Sequence, residues 1–138
     1  MGLLERLSPL GGRILLSLMF LASAYWKIKY WGPTVEMLDL KGVPAPAAAL
    51  AVATIVELVG GLAVLVGLKV RFAALVLFVY LVPVTLIMHS FFGLEGAERQ
   101  GQAIHFMKNL AIMGGLLMVT GLGAGPFSVD ARLEGSEE

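Results

Sequence analysis

Cysteine is missing from the 138-residue chain, which removes disulfides, thiolate metal sites and thiol-based redox chemistry in one step. Charge is scarce as well. Asp, Glu, Lys and Arg make up 14% of the residues, against roughly 25% in an average soluble domain. A soluble globule of this size needs more polar positions to cover its surface, and a disordered or nucleic-acid-binding chain needs more still. Ten basic and ten acidic residues cancel, so no global field points to nucleic acid or to an anionic surface.

What the chain has is uninterrupted apolar length, with hydrophobic types at 58%. Residues 72–94 and 109–129 hold no Asp, Glu, Lys or Arg, and 42–68 hold only Glu57. Each stretch reaches the about 20 residues that a helix needs to cross a bilayer core. A further span starts near Gly12, where Arg13 and Lys27 bound a shorter uncharged run and can snorkel from its ends. Ala22-Ser23-Ala24 resembles a cleavage site after a basic start. The polar residues closing that run, and the membrane character of the rest of the chain, favour a retained first helix.

The sequence therefore predicts four transmembrane helices near 11–31, 45–68, 72–92 and 103–123, with a charged tail over 130–138. The 32–44 connector is punctuated by Gly32-Pro33, Gly42 and Pro44-Ala45-Pro46, and Thr34–Lys41 is a candidate short interfacial helix. Lys69 and Arg71 bound a turn so tight that the second and third helices must be antiparallel neighbours. Basic residues are evenly divided between the two ends, but Lys27 and Lys108 fall within the membrane, which places the termini in the cytoplasm. Tyr25, Trp26, Tyr30, Trp31, Phe91, Phe92 and Phe106 gather at the end away from the termini, as an interfacial aromatic belt does.

Helical spacing sorts the polar residues onto faces. Arg13, Ser17, Phe20, Ala24 and Lys27 share one side of the first helix. Ala53, Thr54, Gly60 and Gly61 surround Glu57 on the second, and small residues let helix backbones approach closely. Thr85 and His89 are four apart on the third helix, which Pro83 is expected to kink. His105, Lys108, Asn109 and Ile112 form a face on the fourth.

Five residues stand out because hydrocarbon penalises them: Lys27, Glu57, His89, Lys108 and Asn109. Glu57 is the deepest charge, about 16 Å along the axis from Pro46 at 1.5 Å per residue. An unpaired carboxylate there costs about 2.5–3.5 kcal/mol on the insertion scale, so it is protonated or meets a cation. Lys27 and Lys108 are the cations within reach, which predicts one polar cluster. The cluster either orders the helices or forms a pocket that exchanges protons or hydrogen bonds with a lipid-soluble ligand. No metal is expected, because His89, His105 and Glu57 lie on three helices with no ligand spacing. The Gly121-x-Gly123-x-Gly125 run has no strand before it and reads as a helix terminator rather than a nucleotide loop.

In order and spacing the residues resemble the DoxX family of small four-helix membrane proteins. The resemblance is carried by Arg13, Lys27, Gly42-x-Pro44, Glu57-x-x-Gly60-Gly61, Gly67, Arg71 and His89. It continues through Phe106-x-Lys108-Asn109, Gly114-Gly115-x-Leu117 and Gly125-x-x-Ser128-x-Asp130. It implies a bacterial cytoplasmic (inner) membrane location, an association with quinone-linked oxidoreduction, and recurrent polar positions at the same five residues that solvation selects.

The expectation is an all-α integral membrane antiparallel four-helix bundle, one transmembrane domain over residues 1–138. Its expected role is that of an accessory membrane subunit that binds a quinone-like or other lipid-soluble ligand for a soluble redox protein. At most it is a membrane subunit of a quinone-linked oxidoreductase, with no covalently bound cofactor, since no motif for flavin, haem or iron–sulfur clusters is present. The alternative is a structural or assembly protein that recruits partners through its loops and tail. A transporter is disfavoured by four helices without inverted repeats. Ala63-x-x-x-Gly67 can support a homo-oligomer or equally serve packing within the bundle.

Overall fold

The computed structural model describes residues 2–136. Its elements are helices α1 (Leu3–Lys29), α2 (Trp31–Leu40), α3 (Pro46–Val66), α4 (Val70–Met88), α5 (Gly96–Leu122) and α6 (Val129–Glu134), with no strand among the described residues. Helices α1, α3, α4 and α5 are long and apolar enough to cross a membrane. They form an antiparallel ring in which α1 packs on α3, α3 on α4 and α4 on α5, while α5 closes against α1 over a shorter stretch.

The expected helices are all present, and their ends move for physical reasons. Helix α1 starts at Leu3 because Glu5 accepts a hydrogen bond from the Gly2 amide at 2.7 Å, closing the first turn, and the helix passes through Pro9. Helix α5 starts at Gly96, since its polar first turns, with Glu98, Arg99 and Gln102, carry the helix beyond the apolar stretch. Hydropathy marks the membrane and not the helix. The interfacial helix runs over Trp31–Leu40 with no buried residue. Helix α4 passes through Pro83 and ends at Met88, short of the expected 92. The expected tail contains α6, capped by the Ser128 hydroxyl accepting from the Ala131 amide at 3.1 Å; residues 137–138 of that tail lie outside the described residues.

Glycines set how closely the helices approach. A Cβ at Gly60 would sit 2.8 Å from Leu77 Cδ2, so the α3 backbone packs directly on the Leu77 side chain of α4. Gly61 meets Phe20 and Leu21 of α1, and Gly115 meets Leu16. The core between them is Phe20, Val64, Leu77, Leu81 and Leu116. The outward rows of α3 (Val52, Ile55, Val59) and α4 (Val79, Val82, Leu86) are exposed and apolar, as lipid-facing surfaces must be.

At the terminal end, several residues that carry the family resemblance form a knot. Arg13 is 1% exposed, and its guanidinium donates to the carbonyls of Leu65 and Phe127. Gly67, at φ +71°, lies so close that a Cβ would overlap Arg13 Nη1 and Ser128. Asp130 accepts from the amides of Lys69 at 2.6 Å and Val70 at 2.9 Å, capping the N-terminus of α4 from sixty residues away. Arg71 donates to the carbonyls of Thr120 and Gly121 at the end of α5, where a basic group meets the helix dipole favourably. Gly67 and Ala63 are therefore used inside the protomer, Gly67 under Arg13 and Ala63 against the core.

Candidate functional site

The half of the bundle away from the termini holds a cavity of about 610 Å³, within the usual range for small-molecule sites. It lies beyond the point where α3 and α4 touch at Gly60 and Leu77, and both helices line it. Its walls are apolar, with Met19, Phe20, Leu50, Leu81 and Val84 contributing, and α2 lies over it through Thr34 and Leu38.

Its polar lining comes from six side chains of the bundle helices: Ser23 and Lys27 of α1, Glu57 of α3, Tyr80 and the cap residue His89 of α4, and Asn109 of α5. Glu57 is delivered by the small-residue face, which turns it inward with Thr54, Gly60 and Gly61. Lys27 Nζ lies 3.0 Å from each of its carboxylate oxygens and donates also to Ser23 Oγ at 2.6 Å. Ser23 Oγ in turn donates to Glu57 Oε1 at 3.1 Å. The Tyr80 hydroxyl donates to the same oxygen at 2.8 Å. Oε1 thus accepts three hydrogen bonds while Oε2 accepts one, from Lys27, which leaves acceptor capacity on Oε2. The Glu57 side chain is 4% exposed and that of Lys27 22%, an arrangement that meets the desolvation cost of the carboxylate with a cation and four hydrogen bonds.

The five residues singled out by sequence are divided by the fold. Lys27 and Glu57 pair directly. His89 and Asn109 line the same cavity but bond elsewhere: His89 Nδ1 is 3.1 Å from Gln102 Oε1, and Asn109 Nδ2 donates to Thr85 Oγ1 at 3.0 Å. The His89 ring also stacks on that of His105, centroids 5.1 Å apart. Lys108 corrects the expectation of a second cation. Asn109 faces inward, and one residue turns a helix by about 100°, so Lys108 is exposed on the outer side of α5 beside Ile104 and Met107. Among the described residues it makes no side-chain hydrogen bond or ion pair.

Sequence reasoning misses two members of the cluster, Ser23 and Tyr80. Ser23 is one helical turn before Lys27 and so on its face, a signal obscured by its resemblance to a cleavage site. Tyr80 sits in the middle of an apolar helix, away from the aromatic belt, where its hydroxyl must find a partner. No group of three or more acidic, His or Cys side chains able to hold a metal occurs among the described residues.

The DoxX family model matches residues 8–90. Among relatives, the inner membrane protein YqjF of Escherichia coli (strain K12) is 33% identical, over 94% of this chain and 95% of its own length. The inner membrane protein YphA of the same organism is 27% identical, covering 87% of this chain and 86% of the relative. The ER-derived vesicles protein ERV29 of Saccharomyces cerevisiae is 29% identical over 88% of this chain, which spans only 32% of that protein. No solved structure matches. With the match running from α1 through α4 and a relative aligned along nearly the whole length, this four-helix integral membrane chain belongs to the DoxX family.

Proposed function

We propose that the cavity binds a lipid-soluble ligand with an oxygenated ring, quinone-like in chemistry, and that the chain serves as an accessory membrane subunit for a soluble redox partner. The observation that carries this reading is the apolar cavity ending in the Lys27–Glu57 ion pair, whose carboxylate is buried and keeps acceptor capacity on Oε2. In this role Glu57 Oε2 accepts from a ligand hydroxyl or takes its proton, and Lys27 balances its charge. His89 or Asn109 donates toward a ligand oxygen at the far end of the cavity. Lacking thiols and any flavin, haem or iron–sulfur motif, the chain relies on its partner for electrons. The bacterial relatives named as inner membrane proteins support placing it in that membrane, and the distribution of basic residues supports cytoplasmic termini.

A second reading rests on a specific observation too. The cluster joins α1, α3 and α4 through Lys27, Glu57 and Tyr80, as a device that orders helices for an assembly role would. Mass spectrometry on an organic extract of the purified protein, wild type beside Glu57→Gln, separates the two. A stoichiometric quinone or similar ligand in the wild type alone supports the binding reading. Empty extracts from two folded proteins leave the cluster as helix glue.

A further inference from the structure

The mouth of the cavity is on the side of the bundle. Among its lining residues, Ala48 and Val52 of α3 and Pro83 and Ile87 of α4 are exposed, and they belong to the faces that contact lipid. Toward the terminal end the same two helices are locked together, by Gly60 on Leu77 and by the tight Gly67–Lys69 turn. The cavity lies beyond those contacts, with Tyr80 and Glu57 at the end nearer them and the exposed Val52 and Ile87 at its mouth. On the side facing the aqueous phase, α2 and the Val43–Ala45 segment cover the cavity through Thr34, Leu38 and Pro44.

We propose that ligands reach the Lys27–Glu57 floor from within the bilayer, between α3 and α4, and that the site selects molecules with a polar ring and a hydrocarbon tail. The ring occupies the cavity, and the tail leaves between Val52 and Ile87 to lie among the lipid acyl chains. Val52 and Ile87 then determine which tails fit. This rests on the ligand-binding reading above and adds the route and the tail. A tail in that position remains in an apolar medium, so it needs no protein cavity of its own. That explains how a site of about 610 Å³ can hold a molecule much longer than itself.

The test uses the full chain in lipid nanodiscs, with decylubiquinone and its tail-less benzoquinone parent as probes and quenching of tryptophan fluorescence, from Trp26 and Trp31 in the wild type, as the readout. Val52→Trp and Ile87→Trp narrow the mouth from lipid-exposed positions where the larger side chain does not disturb the core. Val59→Trp, exposed on α3 below the mouth, controls for the added tryptophan. The expected result is about a tenfold or greater loss of decylubiquinone affinity in the two mouth variants, with the parent quinone unchanged and the control like wild type. Wild-type affinity for decylubiquinone in both mouth variants would overturn the route while leaving the pocket. A wild-type protein that binds neither probe would remove the binding reading and the route with it.

Discussion

The Tyr80 hydroxyl donates to Glu57 Oε1 at 2.8 Å, tying α4 to α3 just past the point where Leu77 and Gly60 bring the two helices together. The phenol supplies the third hydrogen bond to an oxygen already held by Lys27 and Ser23. It therefore fixes the carboxylate's orientation and sets the depth at which the cavity ends.

Replacing Tyr80 by Phe keeps the ring and removes this bond. Hydrogen bonds to charged groups contribute about 1.5–3 kcal/mol, and a loss of that size is expected in denaturant unfolding in mild detergent. Unchanged stability would mean that Ser23 and Lys27 suffice to hold Glu57.

Lys27→Met strands a carboxylate inside the bundle. Breaking a buried pair by removing one partner costs about 3–5 kcal/mol, whereas the double variant Lys27→Met/Glu57→Gln has no charge left to strand. The double variant is expected to recover more than half of the loss, measured as a double-mutant cycle. Additive effects would show that the two residues do not interact.

Gly60 and Gly114 are both helical glycines in Gly-Gly pairs, with opposite expected responses to alanine. At Gly60 the new methyl meets Leu77 at 2.8 Å, and overpacking of this kind costs about 1–3 kcal/mol. At Gly114 nothing lies within 4 Å, so the gain in helix propensity, about 0.8–1 kcal/mol, stands alone. Thermal midpoints should fall for Gly60→Ala and hold or rise for Gly114→Ala, and the losses from Gly60→Ala and Leu77→Ala should be less than additive, since truncating Leu77 removes the overlap.

Asp130→Ala removes the cap on α4. Losing the carboxylate from the Lys69 and Val70 amides is expected to cost about 1–2 kcal/mol, and Asp130→Asn, which keeps one acceptor oxygen, should cost less. Amide exchange should rise first at Val70–Ala73, while ligand retention in the distant cavity stays at the wild-type level. Loss of retention would show that the two ends of the bundle are coupled.

Much of the fold and of the cluster is legible in the residues because hydrocarbon leaves few choices. The position of Glu57 demands a cation, and the small residues around it name its inward face. Lys27 is the consequence of those two facts. Lys108 departs from expectation because depth alone does not decide reach: the phase of α5, set by Asn109 turning inward to Thr85, decides which way a side chain points. Tyr80 is hidden because its polar atom is a minor part of an apolar-looking ring. The Asp130 cap is out of reach for a different reason. Sequence shows an acidic residue in a tail, and only the fold brings that tail back beneath the Gly67–Lys69 turn.

That return has a bearing on the burial of Arg13. Arg13 belongs to α1, yet one of its carbonyl partners, that of Phe127, is separated from it by 114 residues. Without that segment the guanidinium keeps only the Leu65 carbonyl, and a cation so poorly matched is more stable with its charge in water. A chain that stops before Phe127 lacks one of the two carbonyls that hold Arg13 inside the bundle, and so carries a cation that is short of a partner where the full fold buries it.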